Sequence, residues 1–204
     1  MILETVNVGP MQVNCYILAC AEEKKAIIID PGDQARKINA VLEKHKLHPG
    51  MVINTHGHYD HIGCDDKFGV AVYAHKQDLA MLTDAGLNLS ASFSWAYKVK
   101  SEIIALEDKQ AIKFDCLELE VMHLPGHTPG GIALLMKKPQ TDIIFTGDTL
   151  FCRGVGRTDL PGGSQPQLEK SIRERLFVLP EATRVYPGHG PATTIGEEKN
   201  SNPF

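Results

Sequence analysis

The chain has 204 residues, of which 43% are hydrophobic and 23% are charged, and its formal net charge is −4. This length and apolar content suffice for one well-packed core, and the mild acidity argues against an extended nucleic-acid-binding face. No apolar run is long enough to cross a bilayer, and the first residues lack the basic and apolar regions of a signal peptide. A cytoplasmic protein without a membrane or nucleic-acid partner is therefore expected.

The five cysteines form no Cys-x-x-Cys pair, and an odd, scattered set is typical of free thiols in a reducing compartment. The sequence therefore predicts a reduced protein. Cys15, Cys20 and Cys116 lie in strand-like surroundings and are expected to be small, buried hydrophobic side chains. Cys64 and Cys152 lie near the candidate site described below, and packing roles are expected for both.

Apolar and alternating runs predict a series of strands in the first third of the chain. These strands cover residues 2–8, 13–18, 26–29, 51–54 and 70–73. Ile38, Val41 and Leu42 have helical spacing and predict a helix over residues 33–46, with Asp33 as its N-cap. A shorter helix is expected over residues 76–82.

Residues 84–110 show no clear period and are expected to form a loop or lid near the site. Trp95 and Tyr97 in this segment are candidates for substrate contact, although structural roles are favoured. Beyond it, strands are predicted over residues 114–122, 132–136, 143–145 and 184–186. A helix is expected over residues 167–179, ending before Pro180. Interleaved strands and helices indicate a layered α/β fold in one domain spanning residues 1–204.

The most informative motif is His-Gly-His-Tyr-Asp-His at residues 56–61, directly after a strand-like apolar run. Neutral imidazole and carboxylate groups are ligands for divalent transition metals. His56 and His58 face the same way in an extended chain, whereas Asp60 and His61 are adjacent and diverge. The motif therefore predicts two cations. Taken alone, it could also be a polar loop that binds no metal.

Three further candidates share one position, since each follows a predicted strand and a glycine. They are His127, Asp148 and His189. Glycine permits backbone conformations that aim a neighbouring side chain, and binding groups gather at strand ends on one edge of α/β proteins. Each residue taken singly could be a turn or capping residue. Together with the first motif, they predict a shared metal centre.

These segments resemble the motifs of the metallo-β-lactamase superfamily, and more narrowly its glyoxalase II-like branch, the hydroxyacylglutathione hydrolases. The similarity runs from about Asn14 to the C-terminus, with the motifs in the family's order. It implies a four-layer αββα sandwich with a binuclear site on one edge. Within the superfamily, flavodiiron-type reductases carry Glu where His58 stands, and lactamases lack the bridging carboxylate that Asp148 supplies.

The resemblance also implies a role for each candidate ligand. The first metal would be held by three histidines, namely His56, His58 and His127. The second would be held by a mixed set, namely Asp60, His61 and His189. Asp148 would bridge both metals, and Asp30 would support the site from behind, although an ordinary turn aspartate is the alternative for Asp30. Zinc is the expected metal, with iron or manganese as alternatives.

The sequence departs from full-length glyoxalase II enzymes in two respects. Those enzymes carry a C-terminal helical domain that helps to grip glutathione, whereas this chain stops at Phe204, so a short form is expected. Arg157 matches a basic residue that contacts glutathione in that group, but Asp159 and Pro191 stand where tyrosines are expected. The identity of the thiol carrier is therefore left open.

The leading hypothesis is thioester hydrolysis by hydroxide that bridges two metals, with S-lactoylglutathione or a related acyl thioester as substrate. Asp60 is expected to orient the hydroxide as well as to bind metal. Arg157 is expected to attract a substrate carboxylate, with a solvated surface arginine as the alternative.

Two other functions remain open. One is a persulfide dioxygenase with a single iron on His56, His127 and Asp148. The other is a metal-binding protein without catalysis. The oligomeric state is not indicated by the sequence.

Overall fold

The computed structural model describes residues 1–93 and 95–202, and in this part of the chain the strands form two six-stranded sheets and one short hairpin. The first sheet contains β1 (Ile2–Val8), β2 (Val13–Ala19), β3 (Lys25–Ile29), β4 (His48–Ile53), β5 (Val72–His75) and β6 (Ile103–Leu106). The second contains β7 (Ala111–Phe114), β8 (Leu117–His123), β9 (Ile132–Lys138), β10 (Ile143–Gly147), β13 (Arg184–Pro187) and β14 (Thr193–Thr194). The hairpin consists of β11 (Leu150–Phe151) and β12 (Gly154–Val155).

The helices are short, and all but the last lie between strands in the sequence. They are α1 (Ala35–Lys44), α2 (Tyr59–Ile62), α3 (Leu79–Thr83), α4 (Gln165–Ser171) and α5 (Ile195–Ser201). A π-helical turn, Ile172–Leu176, continues α4, and 3-10 turns cover Asp65–Lys67 and Ser90–Phe93. None of the described helices has the length and apolar character needed to cross a membrane.

Each sheet combines antiparallel and parallel pairing. Strands β1 to β3 are antiparallel, and neighbours from β3 to β6 run parallel. In the second sheet, β7 to β10 are antiparallel, whereas β10 pairs with β13 in parallel. The parallel pairs β3–β4 and β10–β13 matter for the site, because the carboxyl ends of parallel neighbours lie at the same edge of a sheet.

The two sheets pack face to face through alternating side chains. In β2, Tyr16 and Leu18 belong to the core between the sheets, whereas Cys15 and Ile17 point to the other face. This alternation follows from the two-residue period of a strand. Phe145, which is fully buried, contributes to the same core from β10.

Helices cover the outer face of each sheet. Ile38 and Leu42 of α1 pack on the outer face of the first sheet. Leu168 of α4 and Ile195 of α5 pack on the outer face of the second. The order is therefore helices, sheet, sheet, helices, and the expected αββα sandwich is confirmed.

Three elements differ from their sequence-based expectations. Residues 114–122 do not form one strand, because Asp115, with φ of 51°, turns the chain between β7 and β8. Asp33 is not the N-cap of α1. That position belongs to Gln34, whose backbone N–H donates to the Asp33 carboxylate at 2.6 Å. Residues 84–110 are not wholly irregular, since they contain a 3-10 turn and strand β6.

The prediction of five free thiols is wrong for two of them, because Cys20 and Cys116 form a disulfide. Cys20 is buried at the end of β2, but Cys116 is exposed in the turn between β7 and β8, not buried as expected. The partners are 96 residues apart in sequence, so their proximity depends on how the two sheets pack. Cys15 and Cys64 are buried free thiols, in agreement with their expected packing roles.

Candidate metal centre

The candidate site lies where strand ends from both sheets meet at one edge of the sandwich. Asp30 directly follows β3, and His56 lies three residues beyond the end of β4. Asp148 directly follows β10, and His189 lies two residues beyond β13. The two sheets are joined here by a hydrogen bond from the Ile132 N–H to the Thr55 carbonyl, at 2.8 Å. The topology therefore gathers groups that are far apart in the sequence.

A first group consists of three buried histidines, His56, His58 and His127. Nδ1 of His58 lies 2.9 Å from Nε2 of His127, and ligand atoms of all three rings lie within 4.8 Å of one another. Nε2 of His56 is buried and has no hydrogen-bond partner among the described residues. A buried polar atom without a partner is costly, and a cation bound here would satisfy it.

A second group consists of Asp60, His61 and His189. The Nε2 atoms of the two histidines are 3.3 Å apart. Oδ2 of Asp60 lies 3.8 Å from Nε2 of His61 and 3.6 Å from Nε2 of His189. Two imidazoles and a carboxylate of this spacing also suit a divalent transition metal.

Asp148 lies between the two groups. Its carboxylate oxygens lie 3.7 Å from Nε2 of His127, 3.4 Å from Nε2 of His61 and 3.5 Å from Nε2 of His189. Its Oδ1 atom is buried without a hydrogen-bond partner among the described residues. The structure thus brings all seven sequence-predicted ligands together, with Asp148 where a bridging carboxylate would lie. The chemistry of this donor set fits a pair of cations, although the role of each residue as a ligand stays a prediction.

In His61 and His189, the Nε2 atom that faces the centre is oriented by a hydrogen bond at Nδ1, on the opposite side of the ring. Nδ1 of His61 lies 3.0 Å from Oδ2 of Asp30, which also accepts from the Thr55 hydroxyl at 2.7 Å. Nδ1 of His189 lies 2.9 Å from the Met11 carbonyl. A proton held on Nδ1 leaves Nε2 free for a metal, which is how such partners orient ligands. Asp30 therefore occupies the supporting place that the resemblance implied.

Two glycines permit this close assembly. A Cβ on Gly188 would lie 2.2 Å from Oδ1 of Asp148 and 2.8 Å from Cε1 of His61. Gly147 has φ of 49°, in the left-handed region, and a Cβ there would lie 2.4 Å from the Thr55 hydroxyl oxygen. The glycines that precede Asp148 and His189 are both needed for space, and Gly147 is also needed for its conformation.

In the first group, the surroundings of His56 and His58 favour the neutral form of the imidazole ring. Burial is the main cause that lowers the pKa of His56 well below its usual value, with the charge of His61 second. Burial, followed by the charge of His127, lowers the pKa of His58 to about 3. Because a metal binds the unprotonated ring, both histidines are already in their binding form at neutral pH.

In the second group, the neighbouring carboxylates raise the pKa values of the histidines instead of leaving the rings neutral. Burial lowers the pKa of His61, but the charges of Asp148 and Asp30 outweigh it and raise the pKa to about 9. Burial also lowers the pKa of His189, but the hydrogen bonds that its ring donates to the carboxylates of Asp148 and Asp60 outweigh this effect and raise the pKa to about 10. A cation entering this group would therefore displace protons from both rings.

Sequence reasoning missed Asp78, whose buried carboxylate joins two loops that carry candidate ligands. Its Oδ2 accepts hydrogen bonds from the Gly57 N–H at 3.1 Å and the Thr128 hydroxyl at 2.7 Å, and its Oδ1 accepts from the Gly130 N–H at 2.6 Å. Gly57 lies between the first two ligands, and Thr128 directly follows His127. An aspartate just before α3 suggests an N-cap, but this side chain caps no helix.

Replacing Asp78 with asparagine is expected to weaken metal binding by about 10–100-fold, because supporting partners of ligands typically contribute on that scale. The amide keeps the size of the side chain but cannot accept three hydrogen bonds in the same arrangement. Competition with a chromophoric chelator measures the change. Asp66→Asn is the matched control, since Asp66 accepts from the Lys100 and Ser101 N–H groups in a segment without ligands. Equal affinities for the two variants would contradict this positioning role.

Arg157 lies at the rim of a cavity of about 320 Å³ that reaches residues of both ligand groups. Its exposed guanidinium donates to the Asp159 carboxylate at 2.7 Å and 2.6 Å, so its charge is already paired. Its carbonyl lies 2.7 Å from Nδ1 of His127. The residue thus supports a candidate ligand through its backbone, and the expected attraction of a substrate carboxylate stays a prediction.

The two aromatic candidates of the irregular segment have different surroundings. The Tyr97 hydroxyl donates to Oδ2 of Asp66 at 3.1 Å, and this half-buried contact fits the favoured structural role. Trp95 is 43% exposed and lines a second cavity beside the candidate centre. Its indole is therefore available to a ligand.

Comparison with known proteins defines the class. The sequence model of the metallo-beta-lactamase superfamily matches residues 8–189 of the chain. The chain therefore belongs to this superfamily. Its members are mostly hydrolases, and their fold binds divalent metals at sites rich in histidine, as in the two groups described above.

Individual relatives are similar over nearly the whole chain. Hydroxyacylglutathione hydrolase GloC of Haemophilus influenzae is 35% identical, with 100% of this chain and 98% of GloC covered. The crystal structure of BLEG-1 B3 metallo-beta-lactamase has a TM-score of 0.91 at 35% identity, covering 100% of this chain and 99% of BLEG-1. TTHA1623 in a di-iron-bound form has a TM-score of 0.85 at 36% identity, covering 98% and 99% of the respective chains.

Proposed function

We propose that the protein is a thioester hydrolase of the glyoxalase II-like type, acting with two divalent cations on S-lactoylglutathione or a related acyl thioester. The observation that carries the proposal is the position of Asp148 between two groups of candidate ligands, within 3.7 Å of three histidine nitrogens. The similarity to GloC along the full chain supports the same reaction class.

The seven side chains would hold the cations, with zinc as the expected metal. Bound there, the cations would lower the pKa of water to supply a nucleophile near neutral pH, and would polarise the substrate carbonyl. Water adds its oxygen to the carbonyl carbon, the C–S bond breaks, and the products are a carboxylic acid and a thiol.

Two further requirements of the reaction are the orientation of the attacking water and the departure of the thiolate. Asp60 is half-buried and lines the cavity, so its carboxylate can accept a hydrogen bond from the attacking water and orient it. A thiol has a pKa of about 8.5, so the thiolate leaves without a strong general acid. A serine nucleophile with its supporting triad is therefore not needed for this reaction.

The test is a substrate panel run beside metal quantification on the purified protein. The panel contains S-lactoylglutathione, neutral acyl thioesters, a cephalosporin and glutathione persulfide under oxygen. The proposal expects two metal ions per chain and thioester cleavage as the fastest reaction. One iron per chain with oxygen consumption would identify a persulfide dioxygenase instead. Turnover of the cephalosporin alone would assign lactamase activity and overturn the proposal.

A further inference from the structure

A second cavity of about 260 Å³ lies beside the candidate centre. It shares a wall with the first cavity, formed by Met11, Tyr59 and Asp60. Val8 and Val13, each 1% exposed, also line it, together with Trp95. A group bound in this space would therefore meet mainly apolar side chains within reach of Asp60.

Exposed apolar side chains are concentrated around the two cavities. Among the described residues, six large hydrophobic side chains are exposed, and three of them line this cleft. They are Met11, Phe93 and Trp95, at 53%, 60% and 43% exposure. Contiguous exposed apolar surface marks a binding groove more often than single scattered residues do. The cleft thus has the surface expected for an apolar ligand.

Trp95 is held in place by its neighbours. Its backbone N–H donates to the Ser90 carbonyl at 3.2 Å, and its ring stacks on Tyr97 with the centroids 5.1 Å apart. Its ring also meets Tyr59 edge-on at 6.5 Å. Because the backbone contact holds the chain and the two aromatic contacts hold the indole before a ligand arrives, little conformational entropy is lost on binding.

The described residues that line the cleft offer no unpaired lysine or arginine to a ligand carboxylate. The charged groups of the second cavity are the carboxylates of Asp33 and Asp60. Arg157 in the first cavity is paired with Asp159 through two hydrogen bonds. A glutathione thioester carries two carboxylates, and the described lining residues include no unpaired lysine or arginine to receive them.

Resting on the proposed thioester hydrolysis, we propose that the preferred substrate is an acyl thioester that is uncharged on both sides of its carbonyl. Its apolar acyl group fills the second cavity between Val8, Val13 and Trp95. Filling a space of 260 Å³ displaces about nine waters, at about 30 Å³ each, from apolar walls. Trp95 is then a residue that determines specificity.

The first test measures binding without turnover, using the metal-loaded protein. Trp95 is the only tryptophan in the sequence, so its fluorescence reports on this cavity. The probes are two stable thioethers that share a hexyl group, S-hexyl-N-acetylcysteamine and S-hexylglutathione. The neutral probe is expected to shift the emission and to bind at least about tenfold more tightly, a difference of about 1.4 kcal/mol. Equal or tighter binding of the glutathione probe would overturn the inference.

The second test follows turnover of N-acetylcysteamine thioesters with acetyl, butyryl and hexanoyl groups. Each buried methylene is expected to raise kcat/KM by about fourfold until the cavity is filled. Trp95→Ala should flatten this dependence. Leu87→Ala is the matched control and should preserve it, since Leu87 is a 44% exposed apolar residue of the same segment that lines neither cavity.

The outcomes separate this inference from the proposed function. If no thioester is hydrolysed, the proposed function fails and this inference fails with it. If thioesters are hydrolysed without dependence on acyl length, or if S-lactoylglutathione is the best substrate, the hydrolase proposal stands and only the inference is overturned. A chain-length dependence that Trp95→Ala leaves intact would also overturn the assignment of the cavity.

Discussion

Asp148→Asn is expected to reduce both metal content and thioester turnover, with kcat/KM falling by about a thousandfold, the scale seen when one principal electrostatic group of an active site is lost. The substitution keeps the shape of the side chain but removes the charge shared by both ligand groups. That charge also raises the pKa of His61. Elemental analysis and thioester kinetics on the same preparation measure the two losses.

Asp142→Asn is the control, because Asp142 is exposed just before β10 and Asp148 directly follows the same strand. It removes an equal charge at the opposite end and should leave metal content and turnover unchanged. Retention of activity by Asp148→Asn would show that the carboxylate is not part of the centre. Full metal content without turnover would instead limit Asp148 to a catalytic role.

Gly32→Ala is expected to destabilise the fold by about 3 kcal/mol and to disturb metal binding, because an added methyl group has no space. A Cβ on Gly32 would lie 1.4 Å from the carbonyl oxygen of Asp60 and 3.2 Å from the His61 nitrogen. These are backbone atoms of the segment that carries two ligand candidates, and they cannot move without moving the ligands. Denaturant unfolding and metal titration measure both effects.

Gly154→Ala serves as the comparison, since in the described part of the chain no atom beyond the adjacent residues lies within 4 Å of the position where its Cβ would be built. It should change the free energy of unfolding by less than about 0.5 kcal/mol, as most substitutions away from special features do. If Gly32→Ala were equally mild, the packing of the Asp30–Gly32 turn against α2 would be looser than the structure describes.

Most strands were predictable because a strand in this fold is apolar on at least one face. The run 143–145 is apolar throughout, and β10 is indeed buried on both faces. The β7–β8 hairpin was missed because its turn at Asp115 depends on one positive φ and carries no glycine. Helix α5 was missed although Thr194 accepts from the Glu197 N–H, a capping contact that Thr-x-x-Glu can signal.

The candidate ligands were predictable for a different reason. His127, Asp148 and His189 each follow a strand and a glycine, and parallel strands ending at one edge bring such positions together. Asp78 could not be found in this way, because its partners are mostly backbone N–H groups that leave no trace in residue identity. The Cys20–Cys116 pair depends on tertiary packing alone, so spacing could not reveal it.

The candidate ligands are divided between the two sheets. His56 to His61 follow a strand of the first sheet, whereas His127, Asp148 and His189 follow strands of the second. The geometry of the centre therefore depends on how the two sheets are aligned. A shift of about 1 Å of one sheet against the other is enough to impair catalysis severely. Phe145 lies in the core between the two sheets. Replacing it with a larger or a smaller side chain should lower the affinity for cations even where the protein stays folded.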